Sequence, residues 1–316
     1  MAERPPFDLT VEPGGYAWWY LDALSDDGRH GLTLIAFVGS VFSPYYATRR
    51  RWGPADPENH CAINVALYGD AGYRWTMTER GRRRLARTAE SLAVGPSSLA
   101  WSANGDLVVH VDEMAVPVPR RVRGTITVTP ISPGMTAFAI HPSGRHVWHP
   151  VAPLARVRVA MDSEGPGWTG HAYVDHNRGS EPLEAAFRSW TWSRSIEPDR
   201  TAIDYDVIVS DGSRHGLRAT YGADGGPKVE PPGGGSDALV PIGTTLWRMP
   251  LVARATPGTV PRLLQSWEDG PFYARSLIEH DLGGKRTTSV HESLSLTRFS
   301  QPIVQAMLPF RMPRRG

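Results

Sequence analysis

The sequence predicts an all-β protein: two tandem antiparallel β-barrel or sandwich domains from an internal duplication, with few short helices. Three observations predict it. The chain holds 32 glycines and 28 prolines beside 11 Trp, 10 Tyr and 8 Phe, which suits short strands joined by turns and which a helical bundle would tolerate poorly. Its apolar residues fall in short runs punctuated by turn words such as Asp26-Asp27-Gly28, Asn104-Gly105 and Gly283-Gly284. One hairpin word also occurs twice. YLDALSDDGRHGL, starting at Tyr20, returns as YDVIVSDGSRHGL at Tyr205, with Tyr, Ser, Asp, Arg, His, Gly and Leu recurring in register 185 residues later. Chance convergence of two hairpins on SD-x-x-RHGL is the plainer reading, but the length of the match favours a duplicated β domain. The expected halves are residues 1–180 and 181–316.

Taken in order, residues 15–24 (GYAWWYLDAL) form an aromatic strand, the Asp-Asp-Gly turn follows, and residues 30–39 return as an apolar strand. Residues 42–60, with Pro44, Tyr45, Tyr46, Trp52, Pro54 and Pro57, make a loop of a length that is uncommon unless it serves a function. Residues 61–68 and 73–78 pair across Gly69-Asp70-Ala71-Gly72. Residues 80–87 carry five arginines and read as a solvated face. Residues 99–102 and 107–113 flank Asn104-Gly105, a type I′ turn signal. Further strands are expected at 123–129, 146–149, 155–160 and 167–175. In the second half they are expected at 188–193, 202–209, 217–221, 244–255, 272–281 and 287–297, with a Gly/Pro loop at 225–235. The tail QPIVQAMLPFRMPRR reads as a short amphipathic helix that seals a barrel or lies on an anionic membrane surface.

Bulk properties exclude several classes. Charge is nearly balanced, +2 from 34 basic and 32 acidic residues, so no global field calls for nucleic acid. Cys61 is the single cysteine; a disulfide framework and a zinc ribbon are excluded, and a buried, inert thiol is expected. No apolar core of a secretory signal precedes residue 13. The longest apolar run, residues 31–42, is well short of the roughly 20 residues that span a bilayer.

Chemistry concentrates in GHAYVDHNRG, residues 170–179. His171, Tyr173 and Asp175 alternate, so as a strand they share one face. His146 and Trp148 form a second alternating pair upstream. Two neighbouring strands would gather His146, Trp148, Tyr173 and Asp175 at one concavity. Each residue has a plainer reading alone: a strand-end Asp bonded to backbone, core aromatics, structural histidines. The four histidines 146, 149, 171 and 176 lack the carboxylate-rich partner strand expected of a metal site. Asp204 and Asp206 share a face and could form a paired-carboxylate site, but their place in the repeated hairpin argues for a scaffold role.

GYAWWYLDALSDDGRHGLTLIAFVGSVFSPYY, GPADPENHCAINVALYG, MTERGRRR, GHAYVDHNRG, WTWSR and MLPFRMPR resemble the carotenoid 1,2-hydratases (hydroxyneurosporene synthases) of phototrophic bacteria over almost the whole chain. The resemblance implies a lipocalin-like double domain. It also implies cofactor-free addition of water to the terminal carbon-1/carbon-2 double bond of an acyclic carotene such as neurosporene or lycopene. The chemistry asks for a strong proton donor, aromatic faces for a tertiary cation and one positioned water. The matching positions assign Asp175 as general acid, Trp148 and Tyr173 as cation stabilisers and His146 as water-orienting base. His171, Trp190, Trp192 and Tyr205 are expected to line the substrate's path. No cofactor and no metal are expected, and the partners are the carotenoid, water and a membrane surface. Placement is expected on the cytoplasmic side of the inner or photosynthetic membrane, attached peripherally through residues 42–60, the arginine run or the tail. The competing function is a non-catalytic carrier of a long apolar lipid, which needs a tunnel but no acid.

Overall fold

A computed structural model describes residues 4–69, 72–134, 136–162, 167–197, 199–223, 226–230 and 237–315. The fold is all-β, and its strands lie in two compact units, Met1–Pro182 with Ala306–Gly316, and Leu183–Gln305. Parts of two expected turns, Asp70-Ala71 and most of the 225–235 loop, lie outside the described residues.

Among the described residues the first unit is a fourteen-stranded sheet, twelve strands in one path with Arg74–Met77 paired beside Cys61–Gly69 and Phe138–Ala139 beside His146–Met161. Its neighbours run Arg314–Arg315, Glu79–Arg80, Cys61–Gly69, His30–Val38, Tyr16–Ser25, Trp168–Gly179, His146–Met161, Arg121–Ser132, Leu107–Met114, Ser97–Trp101, Ser91–Val94 and Leu85–Arg87. The expected barrel does not close among the described residues, because the strands at the two ends of this path do not pair with each other. Both end strands are two or three residues long, and so short an edge offers little for another strand to pair with.

The second unit has a seven-stranded sheet, ordered Lys228–Glu230, Arg214–Gly222, Arg200–Val209, Phe187–Ile196, Lys285–Ser295, Tyr273–Leu282 and Arg262–Asp269, and a separate hairpin of Ala238–Thr244 with Pro250–Ala255. Both copies of the repeated word are antiparallel hairpins, one in each unit.

Two segments read as irregular or helical behave differently in detail. The 42–60 loop contains a helix, Pro44–Arg50, capped by the Ser43 hydroxyl, and a 3-10 turn, Pro57–Asn59, capped by Asp56. The tail is helical only over Pro302–Arg311. It then extends, and Arg314–Arg315 pairs in parallel with Glu79–Arg80, so the last residues belong to the first unit rather than to the second half of the chain. Arg314 reaches the buried Glu79 carboxylate there, which also bonds His60. A buried carboxylate needs such a partner.

Strand alternation splits the first sheet into two faces. Ala17, Trp19, Leu21, Ala23, Leu32, Leu34, Ala36, Val38, Ile63, Val65, Ala172 and Val174 join the hydrophobic core. The intervening residues face the other way. Across the register these are Tyr16, Trp18, Tyr20 and Asp22, then Tyr173, Asp175 and Asn177, then His146 and Trp148. This second face is buried as well, yet it is aromatic and polar rather than aliphatic.

Candidate active site

Trp168–Gly179 is flanked by Tyr16–Ser25 on one side and His146–Met161 on the other. Asp175 therefore lies opposite Tyr20, Tyr173 opposite Asp22, and Asn177 between Trp18 and Trp148. Asp175 is 3% exposed, and Trp148 and Tyr173 are fully buried. The two glycines that end the motif sit where neighbouring chains press closest. A Cβ on Gly170 would lie 2.0 Å from the Leu24 carbonyl, and one on Gly179 would lie 2.5 Å from the Tyr16 ring.

Three donors converge on the Asp175 carboxyl. The Tyr173 hydroxyl donates to Oδ2 at 2.8 Å, Trp148 Nε1–H donates to the same oxygen at 3.0 Å, and Asn177 Nδ2–H donates to Oδ1 at 2.9 Å. Trp148 Nε1 also lies 2.9 Å from the Tyr173 hydroxyl. A buried polar group must be satisfied, and here each member satisfies another while aromatic rings exclude water. Tyr20 meets Tyr173 edge-on at 6.1 Å, and Phe138 packs on Trp148 at 5.3 Å. The result is a carboxyl held in one orientation on a ring-walled face. It can exchange a proton with an apolar neighbour, and the indole and phenol faces can stabilise positive charge that develops beside it.

His146 belongs to the same face but not to the same cluster. Its Cα pairs with Gly179, four residues along the strand from Asp175, a rise of roughly 13 Å. Tyr16 O–H lies 2.9 Å from Nδ1, and Glu181 Oε1 lies 3.1 Å from Nε2. Burial holds this imidazole below its ordinary pKa range, against the opposing pull of Glu181, and burial with Glu181 raises Tyr16 well above the usual phenol. The neutral tautomer that fits receives the Tyr16 proton at Nδ1 and donates Nε2–H to Glu181. Both ring nitrogens are engaged, so the expected presentation of a free nitrogen to water does not match this geometry.

His149 and His176, directly opposed in register, project from the other face of the sheet. The four histidines of the motif region therefore do not converge, and no cluster of three or more His, Cys, Asp or Glu suited to a metal ion occurs among the described residues.

The carotenoid hydratase CrtC family model matches residues 34–316, a span that includes the entire motif and the neighbouring strand His146–Met161. The chain belongs to the carotenoid hydratase family. It is 51% identical to the acyclic carotenoid 1,2-hydratase of Thiocapsa roseopersicina over 316 residues, covering 100% of this chain and 77% of that protein. It is 49% identical to that of Rubrivivax gelatinosus over 321 residues, covering 99% and 76%. Solved structures share the lipocalin-like fold at low identity. One from Nitrosomonas europaea, assigned to AttH, superposes with a TM-score of 0.66 at 14% identity over 92% of this chain and 99% of that one. CghA with Sch210972 gives 0.59 at 13% identity over 95% and 96%.

The hydratase's remaining expected residues are dispersed. His171 faces Asp26, 3.6 Å away at the rim of the sheet, where Asp26 is held chiefly by Arg156. Trp190, Trp192 and Tyr205 are buried in the second unit, with Trp190 and Tyr205 rings 6.2 Å apart. Trp190 lines a cavity of about 620 Å³ there, with Arg188, Ile208, Leu239, Met249 and Arg254. Asp204 is clamped by Arg218 and Asp206 by Arg254, so neither carboxylate is available as a hydrolytic pair. Sequence reasoning missed Asn177, Tyr16 and Glu181. Asn177 was inside the motif and shares the Asp175 alternation, a signal that was there to be read; the other two meet His146 only through tertiary pairing.

Proposed function

We propose that this hydratase adds water across the terminal carbon-1/carbon-2 double bond of an acyclic carotene, of the neurosporene or lycopene type, with Asp175 as the proton donor. The single observation that supports this most is a carboxyl that is 3% exposed among the Trp148, Tyr173 and Tyr20 rings, its orientation fixed by Tyr173, Trp148 and Asn177. A trisubstituted alkene is barely basic, so the donor must be a carboxylic acid aimed at carbon 2 in a site free of competing water. Its proton and the alkene's π pair form the carbon-2–hydrogen bond, leaving a tertiary cation at carbon 1. The Trp148, Tyr173 and Tyr20 rings stabilise that cation, by about 2 kcal/mol or more for a desolvated ring face. Water then supplies oxygen to carbon 1. Asn177 serves both states of the acid. Its Oδ1 is buried with no hydrogen-bond partner, and with the amide turned over that oxygen accepts the proton of neutral Asp175. Because Trp148 and Tyr173 are wholly buried, the face must open to admit the end of a polyene.

A carotene dissolves in membranes and not in water, so the enzyme meets its substrate at a bilayer. We propose peripheral attachment on the cytoplasmic side through the C-terminal helix. Ile303, Met307 and Phe310 are exposed at i, i+4 and i+7, while Val304 and Leu308 are buried. Arg311 and Arg315 lie at and beyond its end, charges suited to anionic headgroups. No helix among the described residues is long and apolar enough to cross a membrane. Trp52, 82% exposed beyond Arg49, Arg50 and Arg51, offers a second insertion point.

The test is incubation of the purified protein with lycopene in detergent or liposomes without added cofactor, with mass spectrometry for a product heavier by one water. Asp175→Asn is expected to lower turnover by about 10²–10⁴-fold, the usual value of a general acid, with carotene binding retained. A carrier would bind lycopene equally in both forms and hydrate it in neither; full turnover by the variant would remove Asp175 as the donor.

A further inference from the structure

Asp22 is a second carboxyl on the face that carries Asp175. It pairs directly with Tyr173 on one side and with Thr33 on the other, and it is 0% exposed. Asp175 pairs with Tyr20, so Asp22 and Asp175 are diagonal neighbours on one face, their Cα atoms about 7–8 Å apart. In the repeated word 185 residues later the corresponding position is Val207, and burying a carboxyl in a strand where an aliphatic residue would serve is costly.

We infer that Asp22 is the base of the water step, resting on the reading of Asp175 as the acid. Side chains set diagonally on one face can hold a reacting carbon and a water between them, as carboxyls roughly 6.5–9.5 Å apart do in inverting glycosidases. His146 is the alternative base, but its two ring nitrogens are taken up by Tyr16 and Glu181, and it lies four residues from Asp175 along the sheet. The sequence of bonds closes without a co-reactant. The Asp175 O–H bond breaks and a carbon-2–hydrogen bond forms. A water lone pair makes the carbon-1–oxygen bond to the cation. One O–H bond of the resulting oxonium then breaks, its electron pair staying on the alcohol oxygen, and the proton passes to Asp22. The Tyr173 hydroxyl, opposite Asp22 in register and 2.8 Å from Asp175 Oδ2, returns the proton to Asp175. Only alkene and water are consumed.

The experiment runs native enzyme, Asp22→Asn and Asp175→Asn with lycopene in heavy water, measuring both hydrated product and deuterium in recovered lycopene. Asp22→Asn is expected to lose hydration at least a hundredfold while still placing deuterium in the recovered alkene, because the cation forms and collapses by losing a proton. Asp175→Asn is expected to give neither. Hydration by Asp22→Asn within tenfold of native overturns the inference. So does a folded, lycopene-binding Asp22→Asn that gives no exchange, since Asp22 would then serve the acid and not the water. Hydration by Asp175→Asn instead marks failure of the reading on which the inference rests. Should Asp22→Asn not fold, Asp22→Ser with added formate replaces it: recovery of hydration supports the inference, and a folded variant without recovery overturns it.

Discussion

Asp175 shows how a single residue acquires a task from its neighbours. On its own, an aspartate before His-Asn-Arg-Gly reads equally as a turn former; in the fold three donors fix its carboxyl in one orientation on a buried aromatic face. Burial acts on other residues without any catalytic consequence. It pushes the Cys61 thiol up to about 12, so the one cysteine is an unreactive part of the core. It pushes the His176 and His291 imidazoles down to about 3. His176 bonds the Trp18 carbonyl, and His291 lies between Ser193 and Ser293. Unfolded histidine titrates near 6.5, so between that pH and about 3 the unfolded chain binds more protons than the folded one. The stabilisation from each neutral histidine is therefore complete above pH 6.5 and is lost as pH falls, by roughly 1.4 kcal/mol per pH unit. Denaturant titrations at pH 7, 6, 5 and 4 are expected to show falling stability, and His176→Phe a shallower fall. A flat profile in the native protein would contradict the burial of these imidazoles.

At the scale of elements, the strand Trp168–Gly179 can lie close between two long strands because Gly170 and Gly179 lack side chains. A methyl group on Gly179 would meet the Tyr16 ring at 2.5 Å and His146 Nδ1 at 2.7 Å. Gly179→Ala is accordingly expected to cost about 1–3 kcal/mol through overpacking and to disturb the Tyr16–His146 pair, visible as a lowered denaturation midpoint. Unchanged stability would mean that the strands can part there without cost. The motif's alternation was legible in advance, and so was the union of Trp148, Tyr173 and Asp175. His146 was legible only as a face-mate. The spacing of 146 and 148 says they point the same way, but strand register alone says that His146 falls opposite Gly179, four residues along the strand from Asp175.

For the molecule as a whole, the exposed stripe of the C-terminal helix is where an enzyme with a water-insoluble substrate would meet lipid. Burial of each large apolar side chain is worth about 2 kcal/mol. Ile303→Glu with Phe310→Glu is expected to weaken binding to anionic vesicles at least tenfold by sedimentation, leaving the hydrogen bonds of Asp175 untouched. Equal binding by native and double variant would remove the helix as the attachment site. The same helix shows a limit of pattern reading. Its amphipathicity was evident, but the return of Arg314–Arg315 to the edge of the first sheet depends on Glu79, 235 residues earlier.

Composition, turn words and alternation determined the all-β class, most strand positions and the aromatic, carboxylate-bearing face of the motif, because these depend on residues two to ten apart in the chain. Tertiary structure alone decided which strands flank that motif, that the first sheet does not close among the described residues, and that Tyr16, Glu181 and Asp22 lie on its face or beside it. Those outcomes follow from the antiparallel register of Trp168–Gly179 with both of its neighbours, one of them far away in the chain, and a shift of one residue in that register would turn a strand's side chains to the opposite face.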